Sequence, residues 1–363
     1  MFIKTIIITN MPTPYRLPLW RAFSHLVDLN VICISAMEKN RHWKVAADDY
    51  VTILKSYHLF FSKRDWALHF SIPFSLFVKL VKENPDVVFI TGYDAIQYWE
   101  ALLYAKVFRK RTVLWSGSTL LSSRSKNRYV NAVKNFFIQR FDAYYTYGSQ
   151  AAKYLIHHGA NLDSIIVGTN TVDTEYFKQN TSNEVTDDST LKFLFVGQLL
   201  ERKGLENTLK AFGTLKRNDW SLTVVGKGSD EEKLKQLVSN LHLINNVDFV
   251  GYKQKEEILI YFSDSQVLIM PSYLEVWGLV LNEALASGLF CLSSKYAGAT
   301  FDLIKEGKNG YVIDPQNIED IADKIKKTFD ICFDKRRIKD DFIVSLENEA
   351  KKLLAASQKA MNQ

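Results

Sequence analysis

Short runs of β-branched and aromatic residues alternate with amphipathic stretches along almost the whole chain. In the first half the runs are FIKTIIIT, LNVICIS, DVVFIT, RTVLWS and DAYYTY, separated by helical patterns such as Phe74 to Lys82 and Ala95 to Val107. A polar passage rich in Asn, Thr and Asp extends from Asn170 to Thr190. Beyond it the alternation restarts with LKFLFVG, WSLTVVG, NVDFVG, QVLIMPS, LFCLSS and GYVI. Unbroken apolar strands between helices are buried on both faces, the habit of parallel sheets covered by helices. The pattern predicts an α/β protein of two Rossmann-like, doubly wound domains facing a cleft, 1–170 and 171–340. The last helical stretch, Lys335 to Met361, is expected to pack back across the linker, with 341–363 as a C-terminal helix on the first domain. Such folds bind ligands outside the carboxyl ends of their strands, so the residues that follow each run are the candidates for chemistry.

In FVGQLLERKGLENTLKAF a strand ends at Gly197, a loop carries Arg202 and Lys203, and Gly204 leads into an amphipathic helix. Adjacent cations beside a helix start make a natural anion site. Gly226, with Gly228, and Gly251, followed by Tyr252, stand at the next two strand ends. MPSYLEVWGLVLNEALASGLF is the most unusual stretch, because Glu275 and Glu283 sit in apolar company where a bare carboxylate is costly. A helix opening at Gly278 or Leu279 and ending near Gly288 leaves Glu275 in the preceding loop and Glu283 inside the helix.

Composition narrows the class. With 363 residues, 47% hydrophobic and 24% charged, the chain has the make-up of an ordered two-domain protein. No run reaches the roughly 18 apolar residues of a membrane span, the N-terminus lacks a signal-peptide pattern, and a cytoplasmic location is expected. Cys33, Cys291 and Cys332 are expected to be buried reduced thiols, and no metal site is expected. The excess of positive charge lies in the first half, which points to nucleic acid, an anionic membrane, an anionic substrate or an ordinary solvated basic surface.

The C-terminal motifs carry a resemblance. PSYLEVWGLVLNEALASG is similar to the signature of retaining, nucleotide-sugar-dependent glycosyltransferases of family 4 (glycosyl transferases group 1). FVGQLLERKG and AGATFDLIKEGKNGYVI resemble the segments that flank it, all within about Leu191 to Lys327. The resemblance implies a GT-B fold and a metal-independent, retaining transfer. The co-substrate would be a nucleoside-diphosphate-sugar, UDP in preference to GDP, with no other cofactor. Arg202 and Lys203 would neutralise the diphosphate, Glu275 would serve the transferred sugar, and Glu283 would hold the ribose hydroxyls. Gly197, Gln198, Val276, Trp277, Gly278, Leu279, Gly226, Gly251 and Tyr252 would complete the donor site. The chain departs from the family in having Gln198 where Arg is frequent, and Asp302 in place of Glu.

On the acceptor side, TNMPTPYRLPLW places Arg16 at the start of the first helix as a phosphate or acceptor contact. Tyr93 and Asp94 in ITGYDA and Ser116 in WSGST follow two further strands, and WSGST lacks the His that many family members carry there. RSKNRYVNAVKNFFIQRF, residues 124–141, sets five cations beside Val130, Val133, Phe136, Phe137 and Phe141 at helical spacing, and Phe60 to Phe77 adds further aromatic and basic residues. The stripe is either core or a face for an anionic membrane at the inner leaflet. No nucleic-acid motif accompanies it. The expected function is transfer of a sugar to a glycan or lipid-linked acceptor in cell-surface polysaccharide biosynthesis. The alternatives are an epimerase or hydrolase on the same fold, or a non-catalytic GT-B subunit.

Overall fold

In a computed structural model of the chain the described residues are 2–35, 48–54, 56–60, 67–71, 75–122, 127–183 and 190–363, with the backbone alone at 56–60 and 67–71. Two compact units result: Met1–Val172 with Ser345–Gln363, and Asp173–Val344.

The N-terminal unit runs β1 (Lys4–Thr9), α1 (Leu17–Ser24), β2 (Asp28–Cys33), β3 (Val51–Ile53), β4 (Ser56–Phe60), β5 (Ala67–Ser71), α2 (Ser75–Glu83), β6 (Val87–Ile90), α3 (Ile96–Val107), β7 (Arg111–Ser116), α4 (Arg128–Ile138), β8 (Ala143–Tyr147), α5 (Gly148–His157) and β9 (Ile165–Gly168). Seven strands form a parallel sheet in the order β3-β2-β1-β6-β7-β8-β9, while β4 and β5 pair as a separate antiparallel hairpin. The central strands are the apolar runs of the sequence, and Ile6, Ile7, Ile8, Val88 and Phe89 have no exposed surface. The two strands of this sheet that periodicity did not announce, β3 and β9, close its edges, and the β4–β5 hairpin is likewise absent from the apolar runs. Both edge strands are short and only partly buried, so neither needs an unbroken apolar run.

The C-terminal unit runs α6 (Thr174–Asn180), β10 (Leu191–Val196), α7 (Leu205–Gly213), β11 (Trp220–Val225), α8 (Glu231–Asn240), β12 (Val247–Gly251), α9 (Leu259–Asp264), β13 (Val267–Met270), α10 (Leu279–Ala286), β14 (Phe290–Ser294), α11 (Gly298–Leu303), β15 (Gly310–Ile313), α12 (Ile318–Thr328) and α13 (Lys335–Asp341). Its six parallel strands, all visible as apolar runs, are ordered β12-β11-β10-β13-β14-β15. Relabelled from its first strand this is 3-2-1-4-5-6, with the direction of winding reversing between β10 and β13.

The stretch Lys335 to Met361 is not one helix. Phe342 leaves the helical region at φ −89°, ψ 92°, and a new helix α14 (Leu346–Met361) begins behind Ser345, whose hydroxyl caps it by accepting the Asn348 N–H at 3.2 Å. α13 stays with the C-terminal unit, where the buried Lys339 ammonium donates to the Thr181 carbonyl at 2.7 Å. α14 joins the N-terminal unit and packs along α1, β8 and β9. Its Glu349, 2% exposed, accepts the Tyr145 hydroxyl and the Thr169 N–H, each at 2.7 Å. Cys33 and Cys291 are buried, but Cys332 is exposed, because it lies on the connection between α12 and α13.

Candidate functional site

Where the winding of a parallel sheet reverses, the connections leaving the two neighbouring strands diverge and open a crevice at their carboxyl ends. In the C-terminal unit these are the connections after β10 and after β13, and both are held in defined conformations. The first contains a 3-10 turn, Glu201–Lys203, that presents Arg202 and Lys203 before Gly204 begins α7. Gly204 is left-handed at φ 72°, and a Cβ there would stand 2.0 Å from the Pro271 carbonyl oxygen, so glycine is what lets the two connections meet. They are joined by the Tyr273 N–H, which donates to the Arg202 carbonyl at 2.8 Å.

That meeting brings together side chains 72 residues apart. The Lys203 ammonium forms a short ion pair with the Glu275 carboxylate, and both side chains are about four-fifths buried. The Arg202 guanidinium lies 4.0 Å from the same carboxylate and also donates to Gln198 Oε1 at 3.2 Å. The backbone of Glu275 is fixed as well. Its N–H donates to the Tyr296 carbonyl, and its own carbonyl accepts from Gly298, each at 3.2 Å. Behind it the Ser294 hydroxyl donates to the Ser272 carbonyl at 2.6 Å and accepts the Tyr296 N–H at 3.0 Å. Ser294 bridges both sides of the Glu275 segment. It ends an apolar run that reads only as a strand, so its part in the site carried no signal in the sequence.

Gly278, at φ 100°, turns the chain into α10. Val276 is exposed, whereas the Trp277 indole is 2% exposed and donates to Asn282 Oδ1 at 2.9 Å. The Trp277 ring therefore belongs to the core, and what this residue can offer a donor is its backbone. Leu279 opens α10, and Glu283 lies in its second turn, half-buried, with no hydrogen bond to its carboxylate among the described residues. Burial pushes the Glu283 carboxyl up to about 7, against the opposing pull of the Lys255 charge. The Lys255 ammonium stands 3.9 Å from the centre of the Tyr176 ring on α6. Gly197 and Gly226 tie the ends of β10, β11 and β12 together, through Gly197 N–H to Val225 at 3.0 Å and Gly226 N–H to Gly251 at 2.9 Å. The Tyr252 side chain beyond them is exposed. Among the described residues no group of three or more His, Cys, Asp or Glu side chains is arranged to hold a metal ion.

The sheet of the N-terminal unit also reverses, between β1 and β6. Arg16 follows β1, and its guanidinium donates to Thr9 Oγ1 at 2.9 Å. Ser116 ends β7, buried, and Asp94 beyond β6 is exposed. Tyr93 turns inward, with its hydroxyl 3.3 Å from that of Tyr154 and its ring against Phe137. The apolar stripe of α4 and the residues after it divides: Phe137 and, beyond the helix, Phe141 are core, whereas Tyr129, Val130, Val133 and Phe136 are exposed. The Arg140 guanidinium lies over the Phe136 ring at 3.6 Å. Arg124 and Lys126 lie outside the described residues, as do 61–66 and 72–74 of the Phe60 to Phe77 stretch. No described helix is long and apolar enough to cross a membrane.

Comparison with known proteins bears on both units. Residues 177–338 match the family model described as glycosyl transferases group 1. An uncharacterized glycosyltransferase of Haemophilus influenzae is 29% identical over 162 residues, 41% of this chain and 45% of that protein. The D-inositol 3-phosphate glycosyltransferase of Pseudarthrobacter chlorophenolicus is 28% identical over 193 residues, 50% of this chain and 46% of that one. The matches thus span less than half the length of these two relatives. Among solved structures, a glycosyltransferase from Rickettsia africae superposes with a TM-score of 0.74 at 15% identity, covering 99% of each chain. The Anabaena protein HepE, solved in complex with UDP, gives 0.70 at 13% identity, again covering 99% of each. The lipopolysaccharide outer core galactosyltransferase WaaB gives 0.73 at 17% identity, covering 98% of this chain and 99% of that one. The chain has the GT-B fold, and its C-terminal unit is similar to the glycosyl transferases of group 1.

Proposed function

We propose that the protein is a retaining glycosyltransferase that moves a sugar from a UDP-sugar, held by the C-terminal unit, to a hydroxyl of a glycan or lipid-linked acceptor. The observation that carries this reading is the Arg202–Lys203–Glu275 constellation at the reversal point of the C-terminal sheet. The similarity of residues 177–338 to group 1 glycosyl transferases supports it, as does the fold shared with a protein solved with UDP.

In this reading Lys203 and Arg202 bind the diphosphate and stabilise the charge that grows on it as the bond to the sugar breaks. The Lys203–Glu275 pair fixes both side chains before the donor arrives, which lowers the ordering cost of binding. Glu275, beside these cations, accepts hydrogen bonds from the sugar hydroxyls and steadies positive charge at the anomeric carbon. The acceptor oxygen bonds to that carbon on the face the phosphate leaves. The acceptor proton passes to the departing phosphate oxygen, and the anomeric configuration is kept. Glu283 accepts hydrogen bonds donated by the ribose hydroxyls, for which an unpartnered, half-buried carboxylate is suited. Charge neutralisation by Arg202 and Lys203 requires no metal ion. The exposed aromatic and apolar residues of α4, flanked by Arg128 and Arg140, suit an anionic membrane surface, where a lipid-linked acceptor for cell-surface polysaccharide would be met at the inner leaflet.

A panel of UDP-, GDP- and ADP-sugars tested by thermal shift checks the donor class, since a ligand that binds only the folded state raises the melting temperature. A UDP-sugar is expected to give the largest rise. No rise with any member of the panel at millimolar concentration would contradict the reading.

A further inference from the structure

The carboxyl ends of β1, β6, β7 and β8 converge on one side chain, Arg16. Its guanidinium lies 5.9 Å from the centre of the Tyr15 ring and 6.0 Å from that of Tyr147, the last residue of β8. Gly117, just beyond β7, closes on the same Tyr147 ring, since a Cβ at Gly117 would stand 2.4 Å from it. Gly92, beyond β6, closes in the same way on Tyr98, at 2.6 Å. The group is thus walled by aromatic rings at the reversal point of the N-terminal sheet, where a ligand is expected.

What surrounds the charge does not neutralise it. Among the described residues Arg16 has no ion pair, and its side-chain hydrogen bonds go to neutral hydroxyls, Thr9 Oγ1 at 2.9 Å and that of Tyr147. Its Nε is buried without a partner, and so is the Thr13 hydroxyl one turn earlier in the same connection, 3% exposed. Asp94 is the acid that follows β6, and it makes no ion pair with Arg16. A guanidinium enclosed without a counter-charge is costly, and a folded chain retains one where an anion completes it. Its planar fork matches an oxyanion better than a neutral hydroxyl does.

We propose that Arg16, with the Thr13 hydroxyl, is an oxyanion-recognition site of the N-terminal unit, and that the acceptor presents a phosphate or a carboxylate to it. The proposal rests on the reading of the protein as a glycosyltransferase whose N-terminal unit takes the acceptor.

Trp115 packs against Tyr147 with ring centres 6.0 Å apart, so its indole N–H is a reporter placed at the site. The test is a titration of the full chain, saturated with UDP, with phenyl phosphate, benzoate and benzyl alcohol. It is followed by the indole proton–nitrogen NMR signal of Trp115, assigned with Trp115→Phe. Phenyl phosphate or benzoate is expected to shift that signal saturably, and the one that does so at lower concentration tells phosphate from carboxylate. Benzyl alcohol is expected to leave it in place. Arg16→Gln should weaken the effective anion about tenfold or more, the loss expected for a charged hydrogen bond. Arg16→Lys, which keeps the charge without the fork, should fall between the two.

The proposal is overturned if neither anion shifts the wild-type signal, if benzyl alcohol shifts it as well as they do, or if a folded Arg16→Gln binds as tightly as wild type. It is also overturned if UDP itself moves Trp115 in an Arg16-dependent way, which would give Arg16 to the donor. Binding of UDP is measured in the same samples by the Glu283-dependent change in melting temperature. A chain that binds UDP but no anion refutes this site alone, and one that binds no UDP refutes the glycosyltransferase reading.

Discussion

Glu275 and Glu283 are eight positions apart, yet their surroundings assign them different work. Glu275 is ionically paired with Lys203 in a rigid connection, whereas Glu283 stands on a helix with no hydrogen-bond partner among the described residues. The second case has a consequence in pH. With its carboxyl raised from 4.5 to about 7 in the folded chain, Glu283 holds its proton there over a range in which the unfolded chain has lost it. The folded state then binds more protons, so this group makes stability fall as pH rises from about 4.5 to about 7, and level off above. Ribose hydroxyls donate to the ionised form, so binding has the opposite slope. Affinity for a UDP-sugar is expected to rise about tenfold between pH 6 and pH 8, following the ionised fraction, and Glu283→Gln should abolish that slope. Calorimetric titration at the two pH values checks it, and an equal slope in the variant would remove Glu283 from the site. The chain shows both glutamates in improbable company, but their separation into loop and helix depends on where α10 begins, which Gly278 marks. The pairing of Glu275 with Lys203 has no local signature, because it is made by the closure of two connections far apart in sequence.

At the scale of elements, the site depends on how closely the connections after β10 and β13 approach. Gly204 occupies a left-handed conformation with the Pro271 carbonyl where a Cβ would stand, so Gly204→Ala must open that contact. A loss of about 1–3 kcal/mol is expected from the backbone strain alone, with donor affinity falling in parallel. Urea denaturation measures the first and titration the second. A variant as stable as wild type would show that the two connections need not touch. All six strands of this unit were legible as predominantly apolar runs, including β12 at the sheet edge, which carries the exposed Asp248. The edge strands β3 and β9, three and four residues long and mostly half-buried or exposed, were not. The break between α13 and α14 was missed for a related reason. Apolar residues continue across Phe342 to Ser345, while the two helices are buried in different units.

For the whole molecule, the excess positive charge of the first half and the exposed face of α4 coincide in the N-terminal unit. Each cation near an anionic bilayer contributes about 1 kcal/mol. Arg128→Gln with Arg140→Gln is therefore expected to weaken sedimentation with vesicles of anionic phospholipid by about 30-fold, and with neutral vesicles hardly at all. Unchanged partitioning would return the α4 face to ordinary surface. The division of the stripe, with Phe137 in the core and Phe136 outside, could not be read from spacing, because both residues fit a helical face. Cys332 was misjudged in the same way, by apolar neighbours on a connection that stays exposed.

The central claim is that the constellation at the reversal point of the C-terminal sheet transfers a sugar. It is tested most directly by the turnover of Glu275→Gln under saturating UDP-sugar and acceptor, measured beside its affinity for the donor. Turnover is expected to fall about 100-fold or more, the cost of losing an electrostatic stabiliser of a transition state, with donor affinity changed only a few-fold. Near-normal turnover in a variant that still binds the donor would contradict the account.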